Sequence, residues 1–528
     1  MTRIIAAALL LAVSASRLTA QGARQVSLED AIRLADRTSE TVEIARAAVL
    51  RARGQQLVAR SQFLPQLNVS ASYARTLASQ FEGFSLGGGP DTTTGPSFVS
   101  LCTPNIPATA TPAERQAALD QARSCEQGGG GFDFSSVGFG AKNQWVLGLN
   151  FSQNIFTAGR ATGLSTAASA GRTAAEIELT AQRAQLILDI TQAYYNAVLA
   201  TRLAEIADAS LTMSDDVLRQ TTAARQVGSS SEFDLLRAQV ARDNQRPLVL
   251  QRRSDANIAM LRLKQLLELP LDDTLALTTD IDVEPATRIA GVSLEMPARP
   301  DTSVDGRASV RQASEAVRAQ RGMLRAARAD RYPTLALTSG YQRLFFPSST
   351  FPDLGDFREN WTVGFSAGVN LLSGGRTRGN VLSAQADLRT AEARLKQTRE
   401  FAALDARIAL SQLEQAEATY RASRGTAEQA RRAYSIDQIR YREGISTQTD
   451  LNQSQLLVEQ AMVNQAVAAR DLAVARMRLA LLRDLPLGAA GGTAGATSGA
   501  GGASAAPSAP PQQRSTSGVA ATSGSVQQ

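Results

Sequence analysis

Residues 361–381 read WTVGFSAGVNLLSGGRTRGNV. Large apolar residues alternate with small ones at first, and two glycines then lead into a helical pattern, so this stretch predicts a strand that continues into a helix. Residues 145–165, WVLGLNFSQNIFTAGRATGLS, carry the same pattern 216 positions earlier. The matched pairs extend far beyond these stretches: Trp145 and Trp361, Gly148 and Gly364, Gly159 and Gly375, Gly163 and Gly379, Gly228 and Gly444, and Asp234 and Asp450. The chain therefore contains an internal duplication.

A second match lies in front of each copy. Residues 59–75, ARSQFLPQLNVSASYAR, correspond to residues 327–343, ARADRYPTLALTSGYQR, at a spacing of 268. The two spacings differ by 52 residues, so the first copy carries an insertion between its two strands. The insertion falls within residues 77–143, which are rich in glycine, proline and threonine and have little periodic pattern. This composition predicts a long loop without a third regular element.

The two ends of the chain have their own composition. Residues 1–20 carry Arg3, the apolar run IIAAALLLAV and then small residues, which predicts a secretory signal peptide. Residues 488–528 are rich in glycine, alanine, serine and proline and predict a disordered tail. Export permits a disulfide between the only two cysteines, Cys102 and Cys125, both in the inserted loop; unpaired thiols are the alternative.

Charge and residue usage argue against several functions. The net charge is +6, yet arginine alternates with acidic residues, as in LRTAEARLKQTREFAALDAR at 388–407, so a nucleic-acid partner is not expected. The chain has no histidine, which removes the usual catalytic triads and most zinc sites. Asp272 and Asp273 lie in a polar segment without a second set of metal ligands. We therefore expect no enzyme activity, no cofactor and no metal.

Four segments alternate with a period of two, which is typical of strands. In the first, Leu67, Val69 and Tyr73 lie on one face, while Asn68 and Ser70 lie on the other. An apolar face toward lipid and a small or polar face toward a lumen suit a membrane β-barrel. A soluble sandwich with the apolar faces in its core is the alternative. The predicted strands cover about residues 66–76, 144–156, 334–344 and 360–372.

The two tryptophans support the membrane interpretation. Trp145 and Trp361 lie at equivalent ends of the second and fourth predicted strands. An interfacial aromatic belt places tryptophan at such positions.

Long proline-free stretches with apolar residues every three or four positions follow the second and fourth strands. Each predicts a helix of roughly 100 Å at 1.5 Å per residue, packed against others in coiled-coil fashion. Gly228 and Gly444 end these helices, and SEFD at 231–234 and TQTD at 447–450 are capping boxes that begin return helices. The predicted helices are 28–63, 160–226, 231–267, 307–331, 376–442 and 447–483. Repeat 1 thus covers 21–267, repeat 2 covers 307–487, and residues 268–306 form a linker at mid-height.

This order of elements resembles the outer-membrane efflux proteins of the TolC type. The resemblance spans about residues 27–485, and it rests on the duplication together with QAYYNAVLA (192–200), NLLSGGR (370–376) and YREGISTQTDL (441–451). It implies a homotrimer in which four strands per chain close one 12-stranded β-barrel in outer-membrane lipid, continued by a periplasmic α-helical tunnel. Open sheet edges are not tolerated in lipid, so other copies must complete the barrel. That three copies do so comes from the resemblance.

The resemblance also implies a function. The chain is expected to be the outer-membrane exit duct of a tripartite efflux or type I secretion system, passively conducting cargo from the periplasm to the exterior. A periplasmic adaptor, or membrane fusion protein, and an inner-membrane transporter would supply the energy. The residues leave one alternative of another class, a structural coiled-coil envelope protein without transport.

Residues at the turn between each long helix and its return helix take roles from the resemblance. Asp234 and Tyr441 match a link that closes the periplasmic end of the tunnel, and Asp450 matches an acidic ring that favours cations. Ser446 and Gln453 depart from a well-known member of the family, which has an arginine of a second link and a second acid there. We therefore expect fewer closing contacts and a weaker cation preference than in that member. Alternatively, both aspartates only complete capping boxes.

Glycines in the same turns match the family's adaptor-docking tips. Exposed backbone at Gly228 and Gly444 would let another helical hairpin approach closely. The alternative is that both glycines are only helix caps.

Overall fold

The computed structural model describes residues 24–78, 104, 106–127, 142–281, 288–289, 292–293, 303–347 and 358–488. The chain divides into two units, Met1–Leu487 and Gly488–Gln528, and only Gly488 of the second unit is described. The predicted signal peptide, the predicted tail after Gly488 and Cys102 lie outside the described residues, so these predictions are not tested.

Eight helices and eight strands make up the described part of the chain. In chain order they are β1 (Arg24–Val26), α1 (Leu28–Thr38), α2 (Glu40–Ser61), β2 (Gln66–Arg75), α3 (Pro112–Gln127), β3 (Asn143–Phe156), α4 (Arg160–Gln226), α5 (Glu232–Leu266), β4 (Leu275–Leu277), β5 (Arg288–Ile289), β6 (Val292–Ser293), α6 (Ala308–Ala329), β7 (Thr334–Phe345), β8 (Arg358–Gly368), α7 (Arg376–Arg442) and α8 (Gln448–Leu481).

Glycines in the left-handed backbone region turn the sheet strands into the two long helices. Gly159, with φ of 89°, precedes α4, and Gly375, with φ of 85°, precedes α7. This region is sterically open to glycine and disfavoured for other residues. Each helix then runs for 67 residues, roughly 100 Å at 1.5 Å per residue.

Helix α4 is the centre of the helical part. It packs against α2, α5, α6 and α8, whereas α7 packs against α6 and α8. Of their 67 residues each, α4 buries 22 and α7 buries 7. Because α4 and α7 are repeat copies of equal length, the difference in their numbers of buried residues comes from their different neighbours.

The largest hydrophobic cluster lies around the middle of α4. Leu188, Ile190 and Tyr194 are fully buried there, together with residues of α1, α5 and α8. The Tyr194 hydroxyl donates to the carbonyl oxygen of Val26 at 3.0 Å and accepts from the backbone N–H of Thr279 at 3.0 Å. These bonds tie the end of β1 and the segment just after β4 to the long helix, and β1 and β4 pair in parallel.

The main sheet is antiparallel and has the order β2-β3-β7-β8. Its register aligns the predicted apolar positions across the strands, such as Tyr73 with Trp145 and Tyr341 with Trp361. The other face carries small and polar pairs, such as Ser70 with Gly148. No second sheet covers the apolar face in the described residues, and Val69 there is 80% exposed. A sandwich within the chain is therefore excluded for this part of the molecule.

Two helix predictions need correction. The expected helix 28–63 is broken at Ser39, whose φ of −55° and ψ of 118° are not helical. The prediction of no regular element within 77–143 is wrong, because α3 forms there. The Thr111 backbone N–H and hydroxyl donate to the Glu114 carboxylate at 2.8 and 2.9 Å, which caps the start of α3.

Strand and linker predictions also differ from the structure. The fourth strand was expected over about 360–372, but β8 ends at Gly368, which pairs with Thr334 at the end of β7. Pro333 precedes that end and has no N–H to extend the ladder. The linker 268–306 was expected to be irregular, yet it contains β4, β5 and β6.

Candidate functional site at the hairpin tips

The turns that join α4 to α5 and α7 to α8 have the same construction. Gly228 has φ of 79° and Gly444 has φ of 72°. The residue after each glycine bonds back to the end of the helix: the Ser229 N–H donates to the carbonyl oxygen of Ala224 at 2.9 Å, and the Ile445 N–H donates to the carbonyl oxygen of Arg440 at 2.8 Å. Such bonds satisfy the last carbonyls of a helix and require a glycine-like conformation. Both glycines are therefore helix caps, whatever else they do.

The two predicted gate aspartates complete capping boxes. The Ser231 N–H donates to Asp234 Oδ2 at 3.2 Å, and the Asp234 N–H donates to Ser231 Oγ at 3.1 Å. Thr447 and Asp450 exchange the corresponding bonds at 3.1 and 3.2 Å. The Ser231 side chain, and to a smaller extent its backbone N–H, donates to Asp234 and lowers the pKa of that carboxyl below its usual range. Thr447 lowers the pKa of Asp450 in the same way. Capping is thus an observed role of both residues.

Tyr441 links the two long helices at their ends. The Thr221 hydroxyl donates to the carbonyl oxygen of Val217 at 2.9 Å. Tyr441 Oη lies 3.2 Å from Thr221 Oγ1, so the tyrosine is the donor of this second bond. The partner expected from the resemblance, Asp234, lines the same cleft of about 860 Å³, but its carboxylate is bonded to Ser231. The structure brings the predicted pair together without a direct bond between them.

Arg237 connects the starts of the two return helices. Its Nη1 donates to Thr449 Oγ1 at 2.6 Å, and its guanidinium lies 5.4 Å from the centre of the Phe233 ring. Sequence reasoning missed this residue, although it occupies the repeat position of Gln453, 216 residues apart. Gln453 itself is exposed. A position-by-position comparison of the two copies would have identified the arginine.

A buried polar group joins α4 to α8 above the tips. Gln455 Nε2 donates to the carbonyl oxygen of Ser210 at 3.0 Å and to Ser214 Oγ at 3.1 Å. The Ser210 hydroxyl donates to the Glu459 carboxylate at 2.7 Å. Buried polar groups of this kind fix the register of packed helices because a shifted register leaves them unpaired.

The two tryptophans lie near the strand ends that are farthest from the glycine joints. Trp145 is the third residue of β3, and its ring centre lies 4.9 Å from that of Tyr73. Trp361 is the fourth residue of β8 and 71% exposed, and its Nε1 donates to Ser339 Oγ at 3.0 Å. Their place at a membrane interface remains a prediction.

None of the helices that the structure describes is long and apolar enough to cross a membrane. Over the same residues, no group of three or more His, Cys, Asp or Glu side chains is arranged to hold a metal ion. Cys125 lies in α3, but the proposed disulfide is untested because Cys102 is not described.

A family model described as outer membrane efflux protein matches residues 112–268 and 300–483. No curated protein sequence matches the chain.

Several solved structures share the fold. The outer membrane channel CmeC of Campylobacter jejuni superposes with a TM-score of 0.64 at 17% identity, covering 87% of this chain and 86% of that one. The open state of the MtrE outer membrane channel of Neisseria gonorrhoeae gives 0.65 at 18% identity, with coverages of 87% and 89%. The outer membrane protein VceC of Vibrio cholerae gives 0.63 at 17% identity, with coverages of 86% and 95%. The predicted fold class is confirmed, and two of these structures, CmeC and MtrE, are described as outer membrane channels.

Proposed function

The chain belongs to the outer membrane efflux protein family, and from that membership we propose that it is the outer-membrane exit duct of a tripartite efflux or type I secretion system. It conducts cargo passively from the periplasm to the exterior through a barrel and a helical tunnel. An inner-membrane transporter supplies the energy through a periplasmic adaptor. The observation that carries this proposal is the four-stranded sheet with one apolar and one polar face, joined to two helices of 67 residues.

The edges of that sheet support a closed oligomer. β2 and β8 are the outer strands, and both are exposed along their whole length. Because all neighbours in the sheet are antiparallel, β8 of one copy can pair with β2 of the next in the same sense. In lipid, the unpaired backbone groups of these edges require such a partner. The family implies three copies, which makes 12 strands.

Exposed apolar residues at the tips support docking of the adaptor. Val227, Phe233 and Ile445 are 80%, 67% and 69% exposed, and they flank Gly228 and Gly444. A cap alone does not require large apolar side chains in water, whereas a helical partner would cover them. Co-purification of an adaptor with the trimer tests this part of the proposal.

Single-channel recording in planar bilayers tests conduction and its gate. We expect a low conductance for the wild type and a higher one for Tyr441→Phe, because the variant lacks the hydroxyl that bonds to Thr221 between the ends of α4 and α7. Tyr434→Phe is the matched control, since Tyr434 is buried nearby on α7 and no hydrogen bond to its hydroxyl is seen among the described residues.

Two outcomes of this experiment would contradict part or all of the proposal. If neither the wild type nor Tyr441→Phe conducts, while crosslinking finds intact trimers, the structural envelope protein becomes the better interpretation. Equal conductance of Tyr441→Phe and wild type would leave conduction in place but remove the role of Tyr441 in the gate.

Ion selectivity separates the ring role of Asp450 from its capping role. We expect Asp450→Asn to reduce selectivity for cations, whereas Asp272→Asn, which removes an exposed charge beyond α5, should not. The bonds from Thr447 lower the pKa of Asp450 below its ordinary value of 3.8. In the folded chain Asp450 therefore keeps its charge until the pH falls through its lowered folded-state pKa. Its contribution to the stability of the tip is fully present above the unfolded-state pKa and is lost as the pH falls through the folded-state pKa. Unchanged selectivity in Asp450→Asn would leave Asp450 as a cap only.

A further inference from the structure

Two helices of the chain touch through their backbones just below the sheet. At Gly163 of α4, an added Cβ would lie 2.5 Å from the carbonyl oxygen of Gly322 and 2.8 Å from the backbone nitrogen of Ala326, both at the end of α6. At Gly322, an added Cβ would lie 2.5 Å from the carbonyl oxygen of Gly163 and 2.9 Å from the backbone nitrogen of Ala167. Only glycine at both positions allows this close approach.

The internal repeat provides a second glycine pair of the same kind. Gly163 corresponds to Gly379 of α7 at the spacing of 216, and Gly322 corresponds to Gly54 of α2 at the spacing of 268. Among the residues that the structure describes in one chain, an added Cβ at Gly54 or Gly379 would meet nothing within 4 Å. Glycine destabilises a helix interior relative to alanine, so two glycines in open space call for another reason.

The surroundings of the second pair are also uncovered. On α4, Ala167, Ile177 and Ala181 are buried beside α6. Their repeat counterparts on α7 are exposed: Ser383, Ala393 and Gln397. On α2, the counterparts of Arg325 and Ala326 are Leu57 and Val58, which are 66% and 68% exposed. Two apolar side chains and a glycine thus form a surface on α2 that no described residue of the same chain covers.

We propose that Gly379 of one chain packs against Gly54 of a second copy of this chain, and that this α7–α2 contact between subunits repeats the α4–α6 contact within a chain. The inference rests on the proposed trimer and adds the residues through which its subunits meet. It also accounts for the burial of 22 residues in α4 against 7 in α7, since α7 gains in the assembly the neighbour that α4 already has. By the same correspondence, Leu57 covers Gly375 of the neighbouring chain as Arg325 covers Gly159.

The first test is assembly of the full chain in detergent, measured by chemical crosslinking. We expect Gly379→Leu to lower the trimer fraction roughly tenfold or more, because overpacking of a close contact is destabilising and three contacts form per trimer. Gly425→Leu is the matched control. It lies on the same helix in open space, and its repeat counterpart Ala209 is exposed on α4, so it should assemble like the wild type.

The second test is independent of how leucine is tolerated. In a Cys102→Ser, Cys125→Ser background, the glycines are kept and cysteines replace the exposed residues beside them, Val58→Cys and Ser383→Cys, the counterparts of Ala326 and Ala167. A bismaleimide crosslinker should join this pair into covalent dimers and trimers, seen by denaturing electrophoresis, whereas each single cysteine variant, and the pair Val58→Cys with Gly425→Cys, should stay monomeric on the gel.

The outcomes distinguish this inference from the function on which it rests. A wild-type chain that is monomeric under all conditions overturns both. Wild-type trimers, with normal assembly of Gly379→Leu and no crosslink between positions 58 and 383, overturn the proposed contact alone. If Gly379→Leu fails to fold by circular dichroism, the result of the cysteine crosslinking decides.

Discussion

Replacing Asp405 with alanine should lower the free energy of unfolding by about 3–5 kcal/mol, because removal of one partner from a buried ion pair leaves an uncompensated charge. Asp405 Oδ2 accepts from Arg307 Nη2 at 2.6 Å, and Oδ1 accepts from Arg478 Nη2 at 3.0 Å. The Arg307 side chain is 1% exposed, and its Nε and Nη1 have no other partner among the described residues. Thermal denaturation of the detergent-solubilised chain, followed by circular dichroism, measures the loss.

The repeat supplies a matched control for this variant. Asp189 of α4 corresponds to Asp405, Arg262 corresponds to Arg478, and Ser39 stands where the buried arginine lies in the second copy. A cavity of about 500 Å³ opens there, and among the described residues Asp189 has no ion pair but accepts from Gln185 Nε2 at 2.8 Å. We therefore expect Asp189→Ala to cost far less than Asp405→Ala. Equal losses would contradict the importance of the ion cluster.

The contribution of Asp189 to the stability of the fold should depend on pH. Burial raises the pKa of Asp189 above its ordinary value of 3.8, so its charged form is disfavoured in the folded state. The resulting penalty is absent below the unfolded pKa and develops as the pH rises through the raised folded value. Asp189→Asn should accordingly stabilise the protein at neutral pH and lose this advantage in acid.

Gly322→Ala should also destabilise the folded chain, although alanine is the better helix former. The new Cβ would lie 2.5 Å from the carbonyl oxygen of Gly163, and backbone atoms there have little freedom to move. Overpacking costs about 1–3 kcal/mol or more, which offsets and exceeds the gain of about 1 kcal/mol in helix propensity. The melting temperature of the full chain reports the difference.

Gly171→Ala is the control for this second variant. Gly171 lies exposed in α4, and an added Cβ would meet nothing within 4 Å. Alanine there should raise stability by about 0.5–1 kcal/mol through helix propensity alone. A gain at both positions would show that the close contact of α4 and α6 tolerates a side chain.

Much of the fold follows from local patterns in the sequence. The alternation around Trp361 and the glycines at 374 and 375 indicate a strand that turns into a helix, and the repeat doubles the evidence. The break at Ser39 was missed because neither proline nor glycine stands there, and its only local signals are a serine at the N-cap position and two acidic residues, Glu40 and Glu43, in the first turn of α2. Helix α3 was missed because one short element within a long insertion has no repeat counterpart for comparison.

The candidate site was predictable only in part, for a related reason. Capping by Asp234 and Asp450 depends on residues three positions away and was readable from the sequence. The bond between Tyr441 and Thr221 and the contact of Arg237 with Thr449 join residues more than 200 positions apart. Such contacts depend on how the two copies pack, which local patterns do not specify.

Of the helices that the structure describes, only α4 and α7 run past the middle of the helical part without a break. The 22-residue helices α2 and α6 pack against their first portions, as in the bond from Arg172 to Gln56, and the return helix α5 packs against a later portion, as in the pair of Arg253 and Asp208. A mechanical load applied at the tips therefore reaches the sheet along just two unbroken backbones per chain. Each is a rod stiffened by its own hydrogen bonds, so a pull is transmitted lengthwise, while the shorter helices act as braces against bending.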